Sequence, residues 1–303
     1  MQTAERRKFL GGFGLAAGAL TLGGAAQAQT ARADRMSTTV EAVQMPCWVE
    51  RAGQRLPVAP GDTITTADEV RTGAQAGIVL RLPEGSLVRL GEKSRLGVPW
   101  MEAREREGRV QLQSELKLFD GFFRFATSAV SKAVGDRQVQ VALRTATIGI
   151  RGTDFWSMTD EEHDAACVFE GRIALDTRDQ GALTLDQPTA FWARFFQRPV
   201  QPVGNATPQQ LNTFLNSTEL TPGRGIALAG GRWRVVAFSG RDARAALRVG
   251  GRLRGEGYPA RLITRGGEHV VQIADLASEA DAQSVLTRIA GIEGVQGRVD
   301  RMG

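Results

Sequence analysis

The sequence predicts two folds in series: a mainly β N-terminal domain, built as a sandwich or roll, and a small α+β domain of order βαββαβ with a four-stranded antiparallel sheet. Three observations carry this. From Met45 to about Leu175, alternating apolar and polar residues are cut by turn signals roughly every ten positions. From Arg232 onward the period switches between strand and helix twice. Between these regions, residues 186–231 hold Pro188, Pro199, Pro202, Pro208 and Pro222 among Asn, Gln, Thr and Gly. The 303 residues, 42% of them hydrophobic, can build a core for each fold.

The first 28 residues stand apart. Arg6-Arg7 followed by Lys8-Phe9-Leu10, a Gly/Ala-rich apolar run and Ala26-Gln27-Ala28 have the form of a twin-arginine export signal with a cleavage site. Beyond Ala28 no stretch reaches the roughly 18 apolar residues that cross a bilayer, so no transmembrane anchor is expected after cleavage. The expected location is periplasmic, soluble and wall-associated. Removing residues 1–28 lowers the formal charge from +5 to +3. Compartment argues against nucleic acid as a partner. Residues 29–44 are polar and are expected to form a disordered lead.

In the β domain, expected over 45–180, the turn signals are Pro60-Gly61-Asp62, Glu84-Gly85-Ser86 and Asp120-Gly121. In "TATIGIRGTDFW", Thr145–Trp156, β-branched alternation ends in Arg151, held between Gly149 and Gly152 and followed by Thr153. Glycine permits backbone that a Cβ would forbid, and Thr153 and Asp154 can bond turn amides. The expectation is a structural turn, with Arg151 directed across the sheet toward an acid such as Glu170. Cys47 and Cys167 are the two cysteines, and an oxidising compartment would allow them to pair or leave two separate buried thiols. "DEEHD", Asp160–Asp164, lacks calcium-loop spacing and reads as a solvated hairpin loop. With only His163 and His269 available, no Ser-His-Asp or zinc-hydrolase constellation assembles locally. The expectation is a protein that is not an enzyme and has no metal or cofactor.

Residues 181–231 read as a Pro-rich linker with one short helix, "TPQQLNTFLNS", capped by Thr207 and started by Pro208. The C-terminal domain, 232–303, begins with the strand "RWRVVAF". It continues with a helix whose Ala246, Val249 and Leu253 face inward while Arg241, Arg244, Arg248 and Arg252 form a solvated stripe. A hairpin about Gly266-Gly267 follows, then a helix capped by Ser278 with Ala282, Val285, Leu286 and Ile289 inward, then a closing strand. Both helices fall on one face of the sheet, leaving the other bare. Alternation turns Val271 and Ile273 to the helices and Gln272 outward, with Arg234, Arg261 and Arg298 beside it. Such donors suit sugar hydroxyls, N-acetyl carbonyls and lactyl carboxylates.

Two family resemblances attach to these residues. "PGDTITTADEVRTGAQAGIVLRLPEGSLVRLGEKSRL", "LKLFDGFFRF" and "TATIGIRGTDFWSM…CVFEGRIAL" make residues of about 48–178 similar to the FecR-type periplasmic domain, whose members bind proteins and relay signals without catalysis. Family members that precede this domain with a transmembrane helix differ from this chain, which has an export signal there. Residues of about 232–302 resemble a SPOR domain, whose members bind peptidoglycan glycan strands stripped of stem peptides. Gln272 is kept, whereas Arg234-Val235-Val236-Ala237-Phe238 and Ala274-Asp275-Leu276 depart from the family's usual strand motifs. The resemblances imply an exported cell-envelope protein in which a FecR-like domain binds an unidentified envelope protein and a SPOR-like domain tethers it to peptidoglycan at sites of wall remodelling or cell division. The alternative is a periplasmic signalling partner that acts through the FecR-like half without wall binding.

Overall fold

The computed structural model describes residues 37–106, 109–127 and 137–302, without the side chains of 105, 106, 109, 110, 137 and 151. The expected export signal and residues 29–36 lie outside these. Two runs of paired strands make the β domain. The first is β3 (Gln54–Pro57), β2 (Cys47–Arg51), β5 (Glu69–Thr72), β8 (Arg95–Arg106), β9 (Arg109–Ala126), β10 (Arg137–Ala142), β11 (Ala146–Thr159), β12 (His163–Thr177) and β13 (Gly181–Leu185). The second starts at β1 (Thr38–Gln44), flanked on one side by β4 (Thr63–Ile64) and β16 (Ile226–Leu228). It continues through β6 (Gly77–Arg81), β7 (Leu87–Leu90), β9, β11, β12, β14 (Ala190–Phe195) and β15 (Gly204–Asn205). Among the described strands, only β9 and β10 run parallel.

Three long strands, β9, β11 and β12, therefore belong to both runs, and each changes run at a glycine with positive φ. These are Gly121 (φ +93°), Gly152 (φ +63°) and Gly171 (φ +82°). A Cβ on Gly171 would lie 2.5 Å from the Gly152 carbonyl oxygen. Gly152 sits in a bulge between Arg151 and Asp154. The two glycines around Arg151 thus differ: Gly152 takes the left-handed turn, while Gly149 stays in the ladder opposite Gln140 and Ala174. Thr153 locks the corner, its N–H donating to Thr127 Oγ1 (3.1 Å) and its hydroxyl to the Glu170 carbonyl (2.5 Å). Asp154 takes a bidentate pair from Arg124 (2.9 and 2.7 Å) instead of local amides. The side chain of Arg151 lies outside the described residues.

The two runs share one apolar core, which includes Val43, Ile78, Leu80, Val88 and Phe125 from one and Val70, Leu96, Leu116, Val141 and Ile148 from the other. Alternation on β11 and β12 turns Phe155 and Val168 into this core and Trp156 and Cys167 onto the opposite side. There α1 (Pro208–Asn216) covers them. Its N-terminus is a capping box between Thr207 and Gln210 with Pro208 in the first turn. Phe214 stacks on Trp156 at 4.0 Å between ring centroids, and Trp156 Nε1 donates to Ser217 Oγ (2.9 Å).

Two boundary expectations are corrected. Residues 38–44 form β1 within the sheet and not a disordered lead; their alternation, "TTVEAVQ", buries Thr38, Val40 and Val43 beneath a polar composition. Residues 181–231 are not a free linker. Strands β13 to β16 and α1 fold onto the β domain, because the prolines mark turns between elements whose partners lie far away in sequence.

The C-terminal domain runs β17 (Trp233–Gly240), α2 (Ala243–Gly255), β18 (Arg261–Arg265), β19 (Glu268–Leu276), α3 (Glu279–Ile289) and β20 (Arg298–Arg301), and its sheet order is β18-β19-β17-β20, all antiparallel. Asp242 caps α2; the amides of Ala245 and Arg244 that it accepts hold its carboxyl below the usual range. Ser278 caps α3. Gly266 and Gly267 both have positive φ, as the two-residue turn requires.

This domain is not hinged to the first. Ala227 of β16 pairs with Val43 on one side and Leu276 on the other, so one sheet passes through both domains. Arg288 of α3 donates to the carbonyls of Met45 (2.5 Å) and Arg224 (2.8 Å). Buried Asp281 accepts the amides of Gly225 (3.0 Å) and Ile226 (2.9 Å). Gly257 packs on Trp48 and Pro46, and α2 touches β3. The apolar core continues without a break into Val235, Leu253, Val271 and Val285.

Candidate functional site

The helices of the C-terminal domain meet its own sheet and α2 also meets the β domain, while no described helix packs on the opposite face of that sheet. Val271 and Ile273 are fully buried with Ala246, Val249, Ala282 and Ile289. Gln272, between them, points to the other face, where the register sets it opposite Arg261 on β18 and Val236 on β17, and Val236 opposite Arg298 on β20. Arg234 lies on the same face and donates to Gln272 Oε1 (3.0 Å). The structure thus brings Arg234, Arg261, Gln272 and Arg298 onto one surface across four strands.

Their states differ. Gln272 is 7% exposed and forms the floor, with its oxygen already taken by Arg234. Arg234 also pairs with Asp300 (3.3 Å), which Arg298 shares (3.2 Å), while the Arg234 Nε is buried without a partner. Arg261 is exposed and has no ion-pair partner among the described residues. Arg298 keeps 58% of its side chain exposed. Arg261 and Arg298 are therefore the donors open to an incoming ligand, at the two edges of a floor made by Gln272 and the buried Val236. Guanidinium groups so placed fit hydroxyl, carbonyl or carboxylate oxygens. Sequence reading missed Asp300, although Arg298 and Asp300 at i and i+2 on a strand necessarily share a face. Among the described residues, no residue of the β domain bonds to any of these side chains.

Elsewhere the residues marked in the sequence have structural roles. Cys47 and Cys167 do not pair: both are free and buried, Cys47 in the main core on β2 and Cys167 in the separate cluster under α1. Burial pushes the Cys47 thiol far up and the Cys167 thiol up to about 12, so neither is a nucleophile at neutral pH. In Asp160–Asp164, the Asp160 carboxylate accepts the amides of Glu162 and His163 (both 2.8 Å). Fully buried Asp164 accepts Thr145 N (2.6 Å) and the hydroxyls of Thr145 (2.6 Å) and Thr159 (2.5 Å). The loop is a bonded hairpin turn.

Comparison with known families agrees with this two-part architecture. Residues 68–174 match the model described as "FecR protein", and residues 229–297 match the "SPOR domain" model. The chain carries a FecR domain followed by a SPOR domain. The FecR match begins at β5 and ends within β12, so β1 to β4 and β13 to β16 complete the FecR sheet from outside the matched span. The SPOR match stops one residue short of β20, the strand that supplies Arg298 and Asp300. No curated protein matches the sequence. Among solved structures, two of "a putative anti-sigma factor from Parabacteroides distasonis ATCC 8503" are similar. One is 16% identical with a TM-score of 0.38, covering 76% of this chain and 93% of its own. The other is 14% identical with a TM-score of 0.37, covering 77% and 97%. Their overall superposition is loose. No helix among the described residues is long and apolar enough to cross a membrane.

Proposed function

We propose that this chain is an exported, non-enzymatic envelope protein whose SPOR domain holds peptidoglycan glycan strands while its FecR domain presents a surface to another envelope protein. Both matched families are non-catalytic. One observation carries the wall reading. The SPOR helices are turned to the FecR domain, and on the opposite sheet face Arg261 and Arg298 stay exposed at the two edges, with Gln272 and Val236 buried between them. A glycan strand carries hydroxyls, N-acetyl carbonyls and lactyl carboxylates, all acceptors for guanidinium donors. The twin-arginine sequence at Arg6-Arg7 supplies the route out of the cytoplasm.

The test is retention of the purified chain on peptidoglycan sacculi before and after amidase removal of stem peptides. Retention that rises on the stripped wall and falls in Arg261→Ala/Arg298→Ala supports the assignment; no retention on either material removes it. The second reading, a periplasmic signalling partner acting through the FecR domain alone, is favoured by the bonds that Arg234 makes to Gln272 and to Asp300. Under that reading the double variant keeps its protein partner and its distribution in the envelope.

A further inference from the structure

A strand that ends a sheet offers unpaired N–H and C=O groups, and proteins protect such edges with charge, proline or shortness. Among the described residues, the strands that end a run follow this rule with one exception. β3 carries Arg55 and ends at Pro57, the projecting edge of β8 carries Pro99, Glu102 and Arg104, and β4 and β15 are two residues each. β18 has an arginine at each end, and β20 holds Arg298, Asp300 and Arg301. The exception is β13, Gly181–Leu185, "GALTL". It pairs with β12 alone, has no charge and no proline, and exposes Gly181, Ala182 and Thr184. A Cβ added at Gly181 would meet nothing within 4 Å.

We propose that β13 is a self-association edge, where a second copy of this chain adds its own β13 antiparallel and continues the first run across a two-fold axis. Charge decides for a second copy. Paired antiparallel about Leu183, the strand sets Leu183 against its own copy, Ala182 against Thr184 and Gly181 against Leu185, with no charge opposed to a like charge. The same operation on β18 would set Arg261 against Arg265, and on β20 Arg298 against Arg301. Leu183 is half-buried against the core, so pairing covers its remaining surface. The edge lies in the FecR domain and is independent of any ligand on the SPOR face.

Sedimentation of the purified chain across micromolar concentrations tests this. The wild type is expected to show a monomer–dimer equilibrium. In Ala182→Lys/Thr184→Lys, the ammonium introduced at position 182 of one copy faces the one introduced at position 184 of the other. The dissociation constant should then rise about tenfold or more, with the melting temperature of the dilute monomer unchanged. Mixing with Ala182→Glu/Thr184→Glu should restore a dimer containing one of each. Where the double variant does not fold, Ala182→Lys and Thr184→Lys are made singly at these exposed positions; each should still self-associate, while the mixed dimer, in which the two introduced ammonium groups face each other, should be depleted. A wild type that stays monomeric, a dimer indifferent to the introduced charges, or a mixture that does not reassociate would overturn the proposal.

Discussion

Gly149 and Gly171 look alike in sequence and differ in consequence. Gly171 has φ +82°, and an added Cβ would strike the Gly152 carbonyl and Thr153. Gly149 has ordinary strand backbone, with its nearest neighbour 3.8 Å from such a Cβ. Gly171→Ala should cost about 2 kcal/mol, a fall of about 5 °C in Tm, while Gly149→Ala stays within about 0.5 kcal/mol. Urea and thermal denaturation of the pair check this; equal effects would mean the corner is not under the strain assigned to it. A second residue-scale prediction concerns Asp68. Burial pushes its carboxyl pKa up, but Arg51 (2.8 and 2.6 Å) and the amide and hydroxyl of Thr65 (2.7 and 3.0 Å) outweigh this, and the net shift is downward. A pKa lowered by folding contributes stability that is present above the unfolded value and fades as pH falls through the folded one. Stability should therefore decline below about pH 4, and Asp68→Asn should flatten that decline in acid denaturation curves.

At the scale of elements, α1 shows how far sequence reading reaches. Thr207, Pro208 and Gln210 announce its start, and the capping box forms as those residue types dictate. Where it docks is decided by Trp156, fifty-eight positions before Phe214, a relation that no local pattern records. Phe214→Ala should cost about 2 kcal/mol, through lost burial and ring stacking, and should make tryptophan emission more open to acrylamide. Unaltered quenching would show that α1 does not cover Trp156 in solution. The SPOR elements were legible for the opposite reason: their helices and strands are short, local and strongly periodic, and Val271, Gln272 and Ile273 alternate without ambiguity. β13 and β14 were hidden because Pro188 and Pro199 punctuate the region like a linker, while the β12 positions they pair with belong to an earlier stretch. The Arg234–Gln272 bond was also beyond reach, since it depends on two strands meeting in one register thirty-eight residues apart.

For the whole molecule, one apolar core and one sheet run through FecR and SPOR domains alike. Heating should produce a single cooperative transition, with calorimetric and van't Hoff enthalpies in agreement. Two separated transitions would contradict the continuity seen at β16. Continuity also bears on how the chain would behave under tension. A slack tether stretches before it transmits anything, whereas here a pull on the C-terminal sheet passes directly through Ala227, its backbone partners Val43 and Leu276, and the Arg288 bridge to Met45. Whatever grips Arg261 and Arg298 thereby sets the heading of the FecR domain, so that an anchored molecule would stand at a fixed angle to its support.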